Sequence, residues 1–242
     1  CYLGPQALDL LADAIKLMAA IARLTLSGNM ITGSRDEGGM FETNWKYDLD
    51  LSGLVSLCDA LPTLKNPIEL DLSNCGLSVN GINPLAKAMA AGGAVSSLAI
   101  SGNSIFGSKI EYSSITSKTV HDVDKDQSGW NNLCEQLQGS SIASFTACDI
   151  GMGPVALRRL ATSLPAAVDV VVLSGNMITG SRTATSFEDY KVLCGDSTIS
   201  SWSSGRVFCD LDLSGLISLC EALPGLKKPI HLDLANCSLS VN

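Results

Sequence analysis

Apolar couplets punctuate the chain, each made of two apolar residues with one residue between them. Leu24/Leu26, Leu70/Leu72, Leu98/Ile100, Val171/Leu173 and Leu232/Leu234 are clear, and Ala143/Phe145 is weaker. Alternate residues of an extended chain share a face, so each couplet predicts a short strand with one apolar side. Three residues after the second apolar residue stands Asn or Cys: Asn29, Cys75, Asn103, Cys148, Asn176 and Cys237. Cys1 opens the chain in the same slot, since CYLG matches CDIG at 148–151. One stretch, LSGNMITGSR, stands at 26–35 and again, unchanged, at 173–182.

Between the couplets the apolar period changes to that of a helix. Leu8, Leu11, Ile15 and Met18 recur at helical spacing over 5–21, with Leu10 and Ala14 expected to face inward as well. Ile82, Leu85 and Met89 form the next such set, behind Asn83-Pro84, where proline is tolerated at a helix start. Val155, Leu157, Leu160, Ala161 and Leu164 form a third. Further helices are expected at Leu54/Leu57/Leu61, Trp130/Leu133/Leu137 and Leu216/Leu219/Leu223. Each follows an insertion placed after a Gly-Ser, at about 35–50, 109–126 and 182–212.

Short repeats of 28 residues therefore alternate with longer ones that carry the insertions. The copies are close: 49–80 and 211–242 differ at seven positions. An Asn in the shared slot can hydrogen-bond backbone groups of adjacent turns, and stacked copies form a buried ladder. Cys fits the same slot as a small, weak donor. With these residues the chain resembles a leucine-rich repeat protein of the long-repeat, ribonuclease-inhibitor-like kind. The resemblance implies an α/β solenoid, with a curved parallel sheet inside, helices outside and long insertions in alternate repeats. It also implies one domain over 1–242, cut from a longer array, whose open ends meet further repeats or another subunit.

Net charge is −8, which disfavours an electrostatic nucleic-acid binder. No apolar run is long enough to predict a membrane span. Of nine cysteines, four fall in the ladder slot and three (Cys58, Cys134, Cys220) at one helix position. That usage fits buried reduced thiols and leans to an intracellular setting. Cys194 and Cys209 stand outside the pattern, free or bridged to each other.

The one recurrent chemical motif closes each insertion. It reads Asp48-x-Asp50-x-Ser52-Gly-x5-Asp59, Asp124-x-Asp126-x-Ser128-Gly-x5-Glu135 and Asp210-x-Asp212-x-Ser214-Gly-x5-Glu221. Oxygens on alternate residues of a tight loop, a glycine and a late carboxylate resemble the calcium loop of an EF-hand. The competing reading is that the acidic residues cap the helix that follows. DLDLSG at 48–53 and 210–215 also reads as a possible extra strand, although the middle copy, DKDQSG, lacks the leucines. His121 and His231 join no nucleophile–base set, so no catalysis and no cofactor other than calcium is expected. The outward strand positions Thr25, Asp71, Ala99, Ser144, Val172 and Asp233 are bland. Aromatic and charged residues gather in the insertions, where protein partners are expected to bind.

Overall fold

A computed structural model describes residues 3–18, 21–38, 44–114, 117–184, 186–195, 198 and 207–239. In chain order the elements are α1 (Pro5–Leu17), β1 (Arg23–Thr25), β2 (Arg35–Asp36), β3 (Trp45–Lys46), α2 (Ser52–Ala60), β4 (Ile68–Asp71), α3 (Asn83–Ala90) and β5 (Val95–Ala99). They continue with β6 (Lys109–Ser114), β7 (Ser117–His121), α4 (Ser128–Leu137), β8 (Ser144–Thr146), α5 (Pro154–Ala161) and β9 (Val170–Val172). The last are β10 (Arg182–Thr183), α6 (Phe187–Cys194), β11 (Val207–Phe208), α7 (Ser214–Ala222) and β12 (His231–Asp233).

The protein is α/β. Six strands form one parallel sheet in the order β1-β4-β5-β8-β9-β12, which is also their order along the chain. The couplet residues lie in register across it: Leu24, Leu70, Leu98, Phe145, Val171 and Leu232. The first five are buried in one core with Leu8, Ile15, Leu57, Leu85, Leu133 and Leu157 from the helices. Burial of such side chains supplies the main driving force. Trp130 fills the middle of that core, with Phe106 and Phe145 at ring distances of 5.3 and 6.2 Å.

Helices meet through glycine. A Cβ on Gly53 would strike the Pro5 carbonyl, one on Gly129 the Val79 carbonyl, and one on Gly215 the Pro154 carbonyl. The Ser-Gly of each acidic motif thus lets its helix lie close on the start of the helix in the preceding repeat, as α2 does on α1, α4 on α3 and α7 on α5. Among the described residues, no helix is long and apolar enough to cross a membrane.

Three details differ from the sequence reading, and the open question of a strand at 48–51 is decided against it. Helix α1 buries Leu8, Ala12 and Ile15, while Leu10 is 73% exposed and Ala14 is also outside. One apolar stripe suffices to seat the helix, and Leu10 lies off it. Residues 48–51 form no strand: Asp48 has φ 53°, the helix starts at Ser52, and Leu49 is 48% exposed. The insertions are antiparallel two-stranded ribbons at their bases, β2–β3, β6–β7 and β10–β11. The register of the fourth turn moves by two residues. Phe145, not Ala143, pairs with Leu98 and Val171, so the ladder slot falls at Ile150 and Cys148 drops out of it. The large Phe145 competes better than Ala143 for the buried position.

Candidate functional site

Asn103 and Asn176 show what the slot does. Asn103 is 1% exposed; its amide donates to Leu72 O and Ile100 O at 2.8 Å, and its oxygen accepts from Cys75 N and Leu77 N at 3.0 Å. Asn176 donates to Ala147 O and Leu173 O and accepts from Ile150 N and Met152 N. Asn29 accepts from Leu3 N at 2.8 Å and donates to Leu26 O. Cys75 and Cys237 point their thiols at Leu26 O and Leu173 O, at 3.1 and 3.3 Å. Cys148 does something else: its N–H donates to Ser101 Oγ. Cys1 lies outside the described residues. Burial pushes the thiols of Cys58, Cys75 and Cys134 up to about 12, so they resist ionisation.

Each ribbon stands on a small clamp. Ser34 Oγ donates to Gly76 O at 2.7 Å and accepts from Asp48 N at 2.9 Å, so it ties both feet of the first ribbon to the next turn. Ser181 Oγ likewise donates to Ser238 O and accepts from Asp210 N. Ser108 Oγ donates to Asp122 O at 3.0 Å. A second bond recurs at all three feet: Asp50 N to Thr32 O, Asp126 N to Phe106 O, and Asp212 N to Thr179 O. These serines went unassigned in the sequence, although a Gly-Ser before every insertion was the signal.

The acidic motif divides its labour. Asp48, Asp124 and Asp210 hold φ of 53°, 57° and 54°, a region in which Asp is one of the few tolerated side chains. Asp48 accepts from Ser78 N, Ser78 Oγ and Gly81 N. Asp124 accepts from Gly153 N and Val155 N at 2.8 Å and from Ala156 N at 3.2 Å, which caps α5. Asp48 and Asp124 therefore reach across to the next repeat. Asp50, Asp126 and Asp212 instead accept from Ser52 N, Ser128 N and Ser214 N at the start of their own helices. Hydrogen bonds from these serines hold all three carboxyls below the usual range. Burial pushes Asp124 up, against the pull of its N–H donors.

The late carboxylates stand apart. Asp59 and Glu221 are exposed on their helices, and Glu135 pairs with Arg159 at 3.2 Å. Among the described residues, no three His, Cys, Asp or Glu side chains gather closely enough to hold a metal ion.

The ribbons carry the aromatic display. Trp45 and Tyr47 stack with centroids 5.9 Å apart, and are 42% and 36% exposed. Tyr47 Oη is fixed by the Ser104 hydroxyl at 2.9 Å. In the third insertion Tyr190 packs edge-on against Phe208, which seats α6 on its ribbon. The side chains of 109–121 and most of 196–206 lie outside the described residues. In comparisons with known proteins, no family model and no curated protein matches this chain.

Proposed function

We propose that the chain is a leucine-rich-repeat solenoid of the long-repeat type, and that its work is non-catalytic: it holds protein partners through its three ribbons. The observation that carries this reading is the contrast within each insertion. One backbone bond pins the foot of all three (Asp50 N to Thr32 O, Asp126 N to Phe106 O, Asp212 N to Thr179 O), and Ser34 and Ser181 make the same pair of bonds in the first and third, while the sequence beyond the feet differs in length and chemistry. A constant base under a variable display is what a recognition surface on a rigid scaffold needs. The stacked Trp45 and Tyr47 supply a half-exposed aromatic anchor of the kind that dominates interfaces.

A photo-crosslinking residue at Glu37 or Lys46 is the test, with Thr25 on the open sheet face as control. Partner adducts are expected from the ribbon positions and are expected to disappear on Trp45→Ala with the fold intact. Adducts formed equally from Thr25, and indifferent to Trp45→Ala, would refute it.

The calcium reading of the acidic motifs has less behind it. Asp48 and Asp124 each already accept three hydrogen bonds from the following turn. A melting temperature raised by millimolar Ca2+, and an effect removed by Asp124→Asn with Asp126→Asn, would move the weight to it.

A further inference from the structure

The two faces of the first ribbon carry different chemistry. Its register sets Arg35 opposite Lys46 and Asp36 opposite Trp45. Residues opposite each other in an antiparallel pair project to the same side, and so does the next residue but one along a strand. One face therefore holds Asp36, Trp45 and Tyr47, and the other holds Arg35, Lys46 and Glu37. On the basic face Arg35 is engaged within the chain, its Nε and Nη2 lying 2.9 and 2.6 Å from Glu37 Oε1. On the aromatic face, among the described residues, no cation pairs with Asp36 and none lies over Trp45 or Tyr47.

Asp36 is positioned by bonds that occupy one of its two oxygens. Oδ1 accepts from Gly38 N at 2.9 Å and from Asn44 N at 2.7 Å, which draws the two strands together beyond Trp45. Among the described residues Oδ2 accepts nothing. The rings are positioned as well. Tyr47 is tied to Ser104 at 2.9 Å, its plane lies 20° from that of Trp45, and both stay half-exposed. A carboxylate beside an indole attracts a cation twice over, by its charge and by the negative face of the ring. The chain meets the same chemistry with a cation of its own in the third insertion. There Lys191 Nζ lies 4.5 Å from the centre of the Phe187 ring and 3.2 Å from Glu188.

We propose that the face formed by Asp36, Trp45 and Tyr47 receives an arginine side chain of a partner protein. The guanidinium stacks on the Trp45 ring and pairs with Asp36 Oδ2. Arginine suits the site better than lysine, because its planar, weakly hydrated head can stack and donate at the same time. The charge of the chain, −8, draws a cationic partner and repels an acidic one. This inference rests on the reading that the ribbons hold protein partners, and supplies the chemistry of one contact.

A random peptide library displayed on phage tests it, panned against the full chain and counterselected against Trp45→Ala. Surviving peptides should carry arginine, and their affinity should fall as salt rises. Replacing that arginine with citrulline, which keeps the shape and removes the charge, should weaken binding on the order of tenfold. This arm depends on the folding of no variant. Asp36→Asn should weaken binding severalfold, while its amide oxygen still accepts from Gly38 N and Asn44 N and keeps the ribbon closed. The proposal is overturned if no peptide survives counterselection, if the survivors lack arginine, or if citrulline and Asp36→Asn leave the affinity unchanged. Partner cross-links from Glu37 and Lys46 that persist beside any of these results keep the ribbon reading and remove only the arginine.

Discussion

Replacing Asn103 by Leu removes one side chain and strands four backbone groups. Cys75 N and Leu77 N lose their acceptor, and Leu72 O and Ile100 O lose their donor. A buried polar group left unsatisfied costs roughly 1–3 kcal/mol. Counting the two N–H groups at the middle of that range, and letting the transfer of leucine offset the two carbonyls, gives about 4 kcal/mol. In a chain of this size that lowers the melting temperature by about 8–16 °C. Asn103→Cys should cost about half as much, because a thiol donates to an equivalent carbonyl at Cys75 and Cys237. Thermal melts give the global cost. Hydrogen exchange gives the local one, since the Cys75 and Leu77 amides should lose protection in the Leu variant before any others. A melting temperature within about 1 °C of the parent, with both amides still protected, would refute the reasoning.

Gly129→Ala drives a Cβ into the Val79 carbonyl and Ile82, so it should destabilise by about 1–3 kcal/mol in denaturant titration, despite the better helix propensity of alanine. Iodoacetamide at mildly alkaline pH should label Cys209 and Cys220, which are exposed, and spare Cys58, Cys75 and Cys134 until the chain unfolds, as read by peptide mass spectrometry. Asp50, Asp126 and Asp212 have lowered carboxyls, so the stability they lend is present above pH 3.8 and lost as pH falls through their folded values. Changing all three to Asn should flatten the acid limb of a melting-temperature profile. Asp124 runs the other way: its raised carboxyl favours the fold below pH 3.8 and loses that contribution as pH rises through the folded value. The stability of the parent relative to Asp124→Asn should therefore shrink with rising pH across that window.

The strands and most helices were legible because their apolar periods are local. Leu70/Leu72 and Leu85/Met89 announce a strand and a helix without reference to anything distant. The Asn slot was legible too, because its hydrogen bonds depend on a fixed offset from the couplet. Cys148 was misplaced because Phe145 was counted as the second residue of its couplet when it is the first, and a small alanine and a phenylalanine two residues apart look like a couplet in sequence. Only pairing with Leu98 and Val171 decides between them. Helix α6 was missed although Ser186 capping Asp189 N, acidic residues at Glu188 and Asp189, and Gly195 at φ 66° form a full set of end signals. Those signals lie in a long insertion with no repeat to compare. The leading Asp of each motif was read as one ligand of a loop. The bonds of Asp48 and Asp124 reach the next turn, 29 to 33 residues away, and no local pattern carries that information.

The clamp under each ribbon has a consequence for how the chain can change. Its Ser-to-Asp span is 14 residues in the first ribbon and 29 in the third, yet both close on the same serine hydroxyl. Doubling a loop raises the entropic cost of closing it by only about 0.6 kcal/mol. Payload length is therefore nearly free, while the socket that receives it stays fixed. Sequence added or exchanged beyond Arg35 or Arg182 closes on that same socket. A chain built this way can alter what it displays in large steps, by insertion and exchange, while selection on its stability acts elsewhere.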